Sequence, residues 1–144
     1  MATQKEKDEK LVQILKKWQE VEDSSIKSTT EIIKKSKNPI VHMVMEIIRQ
    51  DSANHRKVQQ LIIDHFEKSS FKLNPEELAE FWDLVEEHDE IEKKTINLAK
   101  EALRETNSPL VAYFLNYLLT DERKHDELLE EMSRIKIGMY PYGG

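Results

Sequence analysis

Apolar residues recur along this chain at intervals of three and four, the period that lines one face of an α-helix, and no stretch alternates as a half-buried strand would. Heptad counting turns four seams inward. The first reads Leu11, Leu15, Trp18, Glu22, Ser25, Thr29 and Ile32, and the third reads Leu78, Phe81, Val85, His88, Glu92, Thr95, Ala99 and Ala102. The second carries Val41, Val44, Ile48, Asp51, His55, Val58 and Ile62 with Ser52 beside it, and the fourth Val111, Phe114, Leu118, Asp121, His125, Leu128 and Met132 with Glu122 beside it. Every stripe is interrupted near its middle by polar residues. Large seam residues such as Trp18, Met45 and Phe114 are expected to be ordinary core.

Helix boundaries are written in the punctuation. Asn38-Pro39, Asn74-Pro75 and Ser108-Pro109 each read as an N-cap followed by a proline at the first helical position, where the missing N–H costs nothing. With an uncapped first helix at about 6–36, the others are expected at about 39–67, 75–105 and 109–136. Short connections make neighbours antiparallel. The predicted fold class is therefore all-α, an antiparallel four-helix bundle in one domain over 1–137, with 138–144 as a flexible tail.

The bundle is expected to arise from two repeated helical hairpins, about 6–67 and 75–136. Sliding the chain by 70 residues places Pro39 on Pro109, Asp51 on Asp121 and His55 on His125, and Glu20, Glu22, Ile26 and Glu31 on Glu90, Glu92, Ile96 and Glu101. The match includes polar residues at seam positions, which amphipathic helices do not share merely by being amphipathic. It reads as an internal duplication.

Composition narrows the partners. Asp and Glu outnumber Lys and Arg by 28 to 22, with a net charge of -6 and no basic stripe, so no nucleic-acid partner is expected. The absence of cysteine removes disulfides and thiolate-bound metals. The start lacks the apolar core of a secretory signal, and the longest apolar run, Leu110 to Leu115, cannot span a bilayer. No membrane partner and a cytoplasmic location are the expectations.

Candidate chemistry lies in the polar layer. Glu22 and Glu92 face inward, whereas Glu20 and Glu90 face water, and His55 and His125 each follow their hairpin's inward Glu by 33 residues. Several carboxylates buried together must be neutralised or paired, and a bound cation does this. Glu122 and His125, at i and i+3, offer one ion an oxygen and a nitrogen ligand from the same helix.

These residues resemble the ferritin-like superfamily of di-iron carboxylate proteins, and rubrerythrin-like members in particular, over about 130 residues. The resemblance implies metal ligation by Glu22, His55, Glu92, Glu122 and His125. It also implies that Asp121, and Asp51 in the other half, hydrogen-bond a ligand histidine without binding metal themselves. The implied cofactor is iron, one or two ions, with manganese as the alternative metal. The implied activity is that of an oxidoreductase, oxidising Fe(II) or reducing peroxide or dioxygen. A homodimer is implied too, and a redox-active chain without cysteine would need a separate electron donor.

The sequence departs from the pattern at Ser52, which stands where the second helix would supply its Glu. Three carboxylates remain, and two readings stay open. In one, His88 joins Glu92, Glu122 and His125 in a single-metal site in the second half; Trp18 occupies the matching place in the first half. In the other, the site has decayed and the chain is a non-enzymatic interaction or scaffold bundle. His88 reads equally as a ligand and as a hydrogen-bonded seam histidine.

Overall fold

The computed structural model describes residues 1–69 and 74–139, with side chains through Ile135. Four helices follow one another: α1 (Gln4–Lys35), α2 (Pro39–Glu67), α3 (Pro75–Arg104) and α4 (Pro109–Met139). No described residue is in a strand. The all-α class and the two hairpins are as expected, and the chain divides into two compact units, Met1–Phe71 and Lys72–Gly144, one hairpin in each. No described helix is long and apolar enough to cross a membrane. Of the expected tail, Gly138 and Met139 belong to α4, while 140–144 lie outside the described residues.

The helix starts behave as the cap residues dictate. Asn38 Oδ1 accepts from the amide of Ile40, Asn74 Oδ1 from those of Glu76 and Glu77, and Ser108 Oγ from that of Val111. The first helix is not uncapped. Thr3 Oγ1 accepts from the amide of Glu6 at 3.1 Å, so α1 begins before the expected Glu6. Thr3-Gln4-Lys5-Glu6 has the Thr-x-x-Glu spacing of a capping box, a signal present in the sequence.

In the first hairpin α1 and α2 run antiparallel, as a ladder of side-chain pairs records: Lys16 with Glu67, Gln19 with Gln60, Asp23 with Arg56 and Ser25 with Ser52. Val12, Leu15 and Ile63 form its apolar core. Gln19, Glu22, Thr29, Ser52 and Gln59 are also buried. In the second hairpin Leu78, Trp82, Ala99 and Leu119 are the buried apolar residues, with Glu92 buried among the polar ones.

The helix faces agree with the heptad count in part: Leu15, Glu22 and Thr29 on α1 and Leu78, Glu92 and Ala99 on α3 are buried as counted, but their neighbours on the buried face are not the counted ones. On α1 the buried positions are Val12, Leu15, Gln19, Glu22 and Thr29, while Leu11, Ile14, Val21 and Trp18, at 51% exposure, lie on the open side. On α3 Trp82 is buried and Phe81, Leu84, Ile91 and Leu98 are exposed. Val58 and Ile62 on α2 and Leu118 and Leu128 on α4 are exposed as well. On α1 the partner helix takes the stripe that carries Gln19 and Ser25: Gln19 meets Gln60 and the carbonyl of Arg56, and Ser25 meets Ser52.

Candidate metal centre

Glu92 is the buried carboxylate of the second hairpin, at 7% exposure. Its two oxygens have different surroundings. Oε1 accepts from His88 Nε2 at 2.8 Å, one turn earlier on α3. Oε2 is buried and receives no hydrogen bond, unless a neighbouring carboxyl brings a proton to it.

Two groups from α4 face that oxygen. His125 Nδ1 lies 3.5 Å from Glu92 Oε2 and 3.7 Å from Glu122 Oε2. One ligand atom from each of Glu92, Glu122 and His125 falls within 4.8 Å of the others, close enough for all three to reach one ion. Two side chains orient the set. Thr95 Oγ1 donates to Glu122 Oε2 at 2.9 Å, and Asp121 Oδ2 lies 3.4 Å from His125 Nε2, leaving Nδ1 turned to the carboxylates. Asp121 thus stands by its histidine as the resemblance implies.

The electrostatics follow from crowding two acids. Contact with Glu92, then burial, raises the Glu122 carboxyl above its ordinary range, with Thr95 opposing. The facing carboxyl of Glu122, and then the hydrogen bond from His88, hold Glu92 below the usual glutamate range against the effect of burial. Negative charge is thus favoured on Glu92 and disfavoured on Glu122. A cation at Glu92 Oε2 would relieve the crowding of the two acids.

About one turn away, Asp89 on α3 and Asp126 on α4 form a second pair of acids. The facing Asp89 carboxyl, then burial, pushes Asp126 up to about 6, and the same contact lowers Asp89. A cleft of about 510 Å³ opens there, with Glu86, Asp89, Glu90 and Glu130 in its wall. A negatively lined cleft attracts cations. Sequence reasoning missed this pair, since both residues fall off the heptad seam; the i−3 spacing of Asp89 from Glu92 was the available signal.

The first hairpin has the same frame with different chemistry. Glu22 is also 7% exposed with Oε2 unpartnered, and His55 Nδ1 lies 3.5 Å from it, the spacing seen between His125 and Glu92. Ser25 Oγ meets Ser52 Oγ at 2.8 Å, where the duplicate places Thr95 against Glu122 at 2.9 Å. Ser52 is buried, so the second carboxylate is replaced by a satisfied hydroxyl pair. Asp51 does not repeat the role of Asp121: among the described residues it makes no ion pair with His55, which turns to Glu22 instead.

The structure thus gathers Glu92, Glu122 and His125 in one hairpin and pairs Glu22 with His55 in the other. His88 touches Glu92 from outside the three-ligand group. No protein-family model, curated protein or solved structure matches this chain, which leaves the chemistry of these side chains to speak for its function.

Proposed function

We propose that this chain is a metal-binding protein, ferritin-like in type, holding a single iron or manganese ion through Glu92, Glu122 and His125. The observation that carries this reading is Glu92 Oε2, an oxygen buried in the second hairpin without a hydrogen-bond donor and faced by a second carboxylate and an imidazole nitrogen. A buried carboxylate in that setting calls for a proton or a cation. Two oxygens and one nitrogen suit Fe(II) and Mn(II), which accept carboxylate and imidazole ligands together. Three protein ligands leave room for dioxygen or peroxide, and the activity proposed is oxidation of Fe(II) with one of these as oxidant. Electrons for repeated turnover come from a separate donor.

Thermal melting with and without anaerobic Fe(II) or Mn(II) tests the binding. A cation taken only by the folded chain adds about 2.7 kcal/mol at a hundredfold excess over its Kd. The melting temperature should rise in the wild type. Glu122→Ala with His125→Ala should abolish the rise, and Glu20→Ala with Glu90→Ala should leave it, since both of these glutamates are exposed. An unchanged melting temperature in metal-free wild type at millimolar ion would refute the reading. Aerobic Fe(II) titration tests the activity, and oxidation no faster than in buffer would remove it.

Ser52 supports a second reading, a bundle whose site has decayed. Its bond to Ser25 satisfies the first hairpin's polar layer without a metal. On that reading protein purified without chelator carries no stoichiometric metal.

A further inference from the structure

The role of His88 can be taken further than the choice between ligand and bystander. We propose that His88 is a positioning residue for the metal site: it holds Glu92 by Oε1 so that Oε2 is presented to the ion, and it does not ligate the ion itself. This rests on the metal-binding reading above and specifies how the site is built.

The argument starts from the two ends of one carboxylate. A glutamate side chain has three rotatable bonds, and its terminal torsion is broad, so a buried ligand oxygen is well aimed only if something holds its partner oxygen. His88 does so from one turn away, with Nε2 at 2.8 Å from Oε1. That nitrogen is occupied; to ligate through it His88 would have to release Glu92 and leave Oε1 without a donor. Its ring is also largely outside, at 57% side-chain exposure against 9% for the Glu92 side chain, and its nitrogens are not within the span that collects Glu92, Glu122 and His125.

The duplication supplies an independent comparison. Trp18 occupies the His88 position in the first hairpin, half-exposed, and among the described residues it makes no hydrogen bond to Glu22. The same hairpin has Ser52 in place of Glu122. Where the second carboxylate is gone, the histidine that would steady the first is gone with it. A histidine kept for helix packing alone has no reason to follow the ligand set in this way.

Co(II) is a suitable probe because its visible absorption reports the ligand set while calorimetry reports affinity. Wild type, His88→Ala, His88→Gln and His125→Ala are titrated with Co(II) alone. His88→Ala should weaken binding about 10- to 100-fold, the effect typical of losing a group that orients a ligand, while the absorption bands keep their positions. His88→Gln places an amide N–H where the imidazole Nε2–H was and should recover most of the loss. Alanine is the best helix former, and the site is an exposed helix position, so folding is preserved; circular dichroism checks it. Unchanged affinity in His88→Ala would overturn the proposal, as would a band shift like that of His125→Ala, which would show an imidazole leaving the ion. If the wild type binds no Co(II), Fe(II) or Mn(II), the metal-binding reading itself falls and takes this one with it.

Discussion

At Asp89 and Asp126 two carboxyls crowd together beside the candidate ligands, and that crowding has a cost in stability that pH can expose. Asp126 titrates at about 6 in the folded chain, against an ordinary value of 3.8. Its folded pKa is raised, so its contribution is fully present below the unfolded value and is lost as pH rises through about 6. Asp89, lowered, is the acid favoured in its ionised form, and its own slope is confined to the neighbourhood of its unfolded value of about 4. Asp126→Asn removes the titration. Relative to the wild type, the variant should therefore gain stability as pH rises from 4 to 6 and hold that gain above it, read as the difference in urea midpoints. A difference independent of pH would show that the two acids do not perturb each other. The heptad count could not anticipate this pair, because it asks only which residues face inward, and the crowding depends on how closely α3 and α4 approach at one level.

At the scale of the helix, what was legible was what local chemistry decides. The Asn-Pro and Ser-Pro steps placed three starts correctly because an N-cap acts within its own first turn. Asn74→Ala should cost about 1 kcal/mol of stability in urea unfolding, since two amides lose their acceptor. Thr3 was legible in the same way and was passed over. The helix faces were legible in part: the count put Leu15, Glu22 and Thr29 inward on α1, as they are, but it favoured Trp18 and Leu11 over Gln19 and Val12, which pairing with α2 selects. Spacing pointed to Glu122 with His125, because i, i+3 geometry is intrinsic to a helix, and the heptad count and the 70-residue match added Glu92; the full ligand set came only with the resemblance. The division of labour between ligand and His88 was not legible, since it turns on which oxygen of Glu92 each neighbour reaches. Ser52→Glu tests the element most directly. It restores the carboxylate that Glu122 supplies in the duplicate, and it buries an acid at a position now 6% exposed. The metal-free variant should lose about 1–3 kcal/mol. Bound metal per chain should increase if the first hairpin's Glu22 and His55 can use the new ligand, as atomic absorption would show; an unchanged ratio in a folded variant would mean that they cannot.

Across the whole molecule, duplication has kept the frame and separated the chemistry. Glu22 with His55 and Glu92 with His125 are matched pairs at the same 3.5 Å, yet Ser52, Trp18, Gln19 and Arg56 in one hairpin stand against Glu122, His88, Asp89 and Asp126 in the other. The acidic character of the site is thus concentrated in the second hairpin. This gives the chain a reference for its own ligand response, carried on the same polypeptide and exposed to the same solvent. Backbone amide hydrogen exchange reads it out, because each segment's exchange reports its own opening free energy. Metal should slow exchange in α3 and α4 around Glu92 and Glu122 while the matching stretches around Glu22 and Ser52 keep their metal-free rates. Equal slowing in both halves would mean that the hairpins open as one cooperative unit, and the duplicated chain would then behave energetically as a single body despite carrying its ligands on one side.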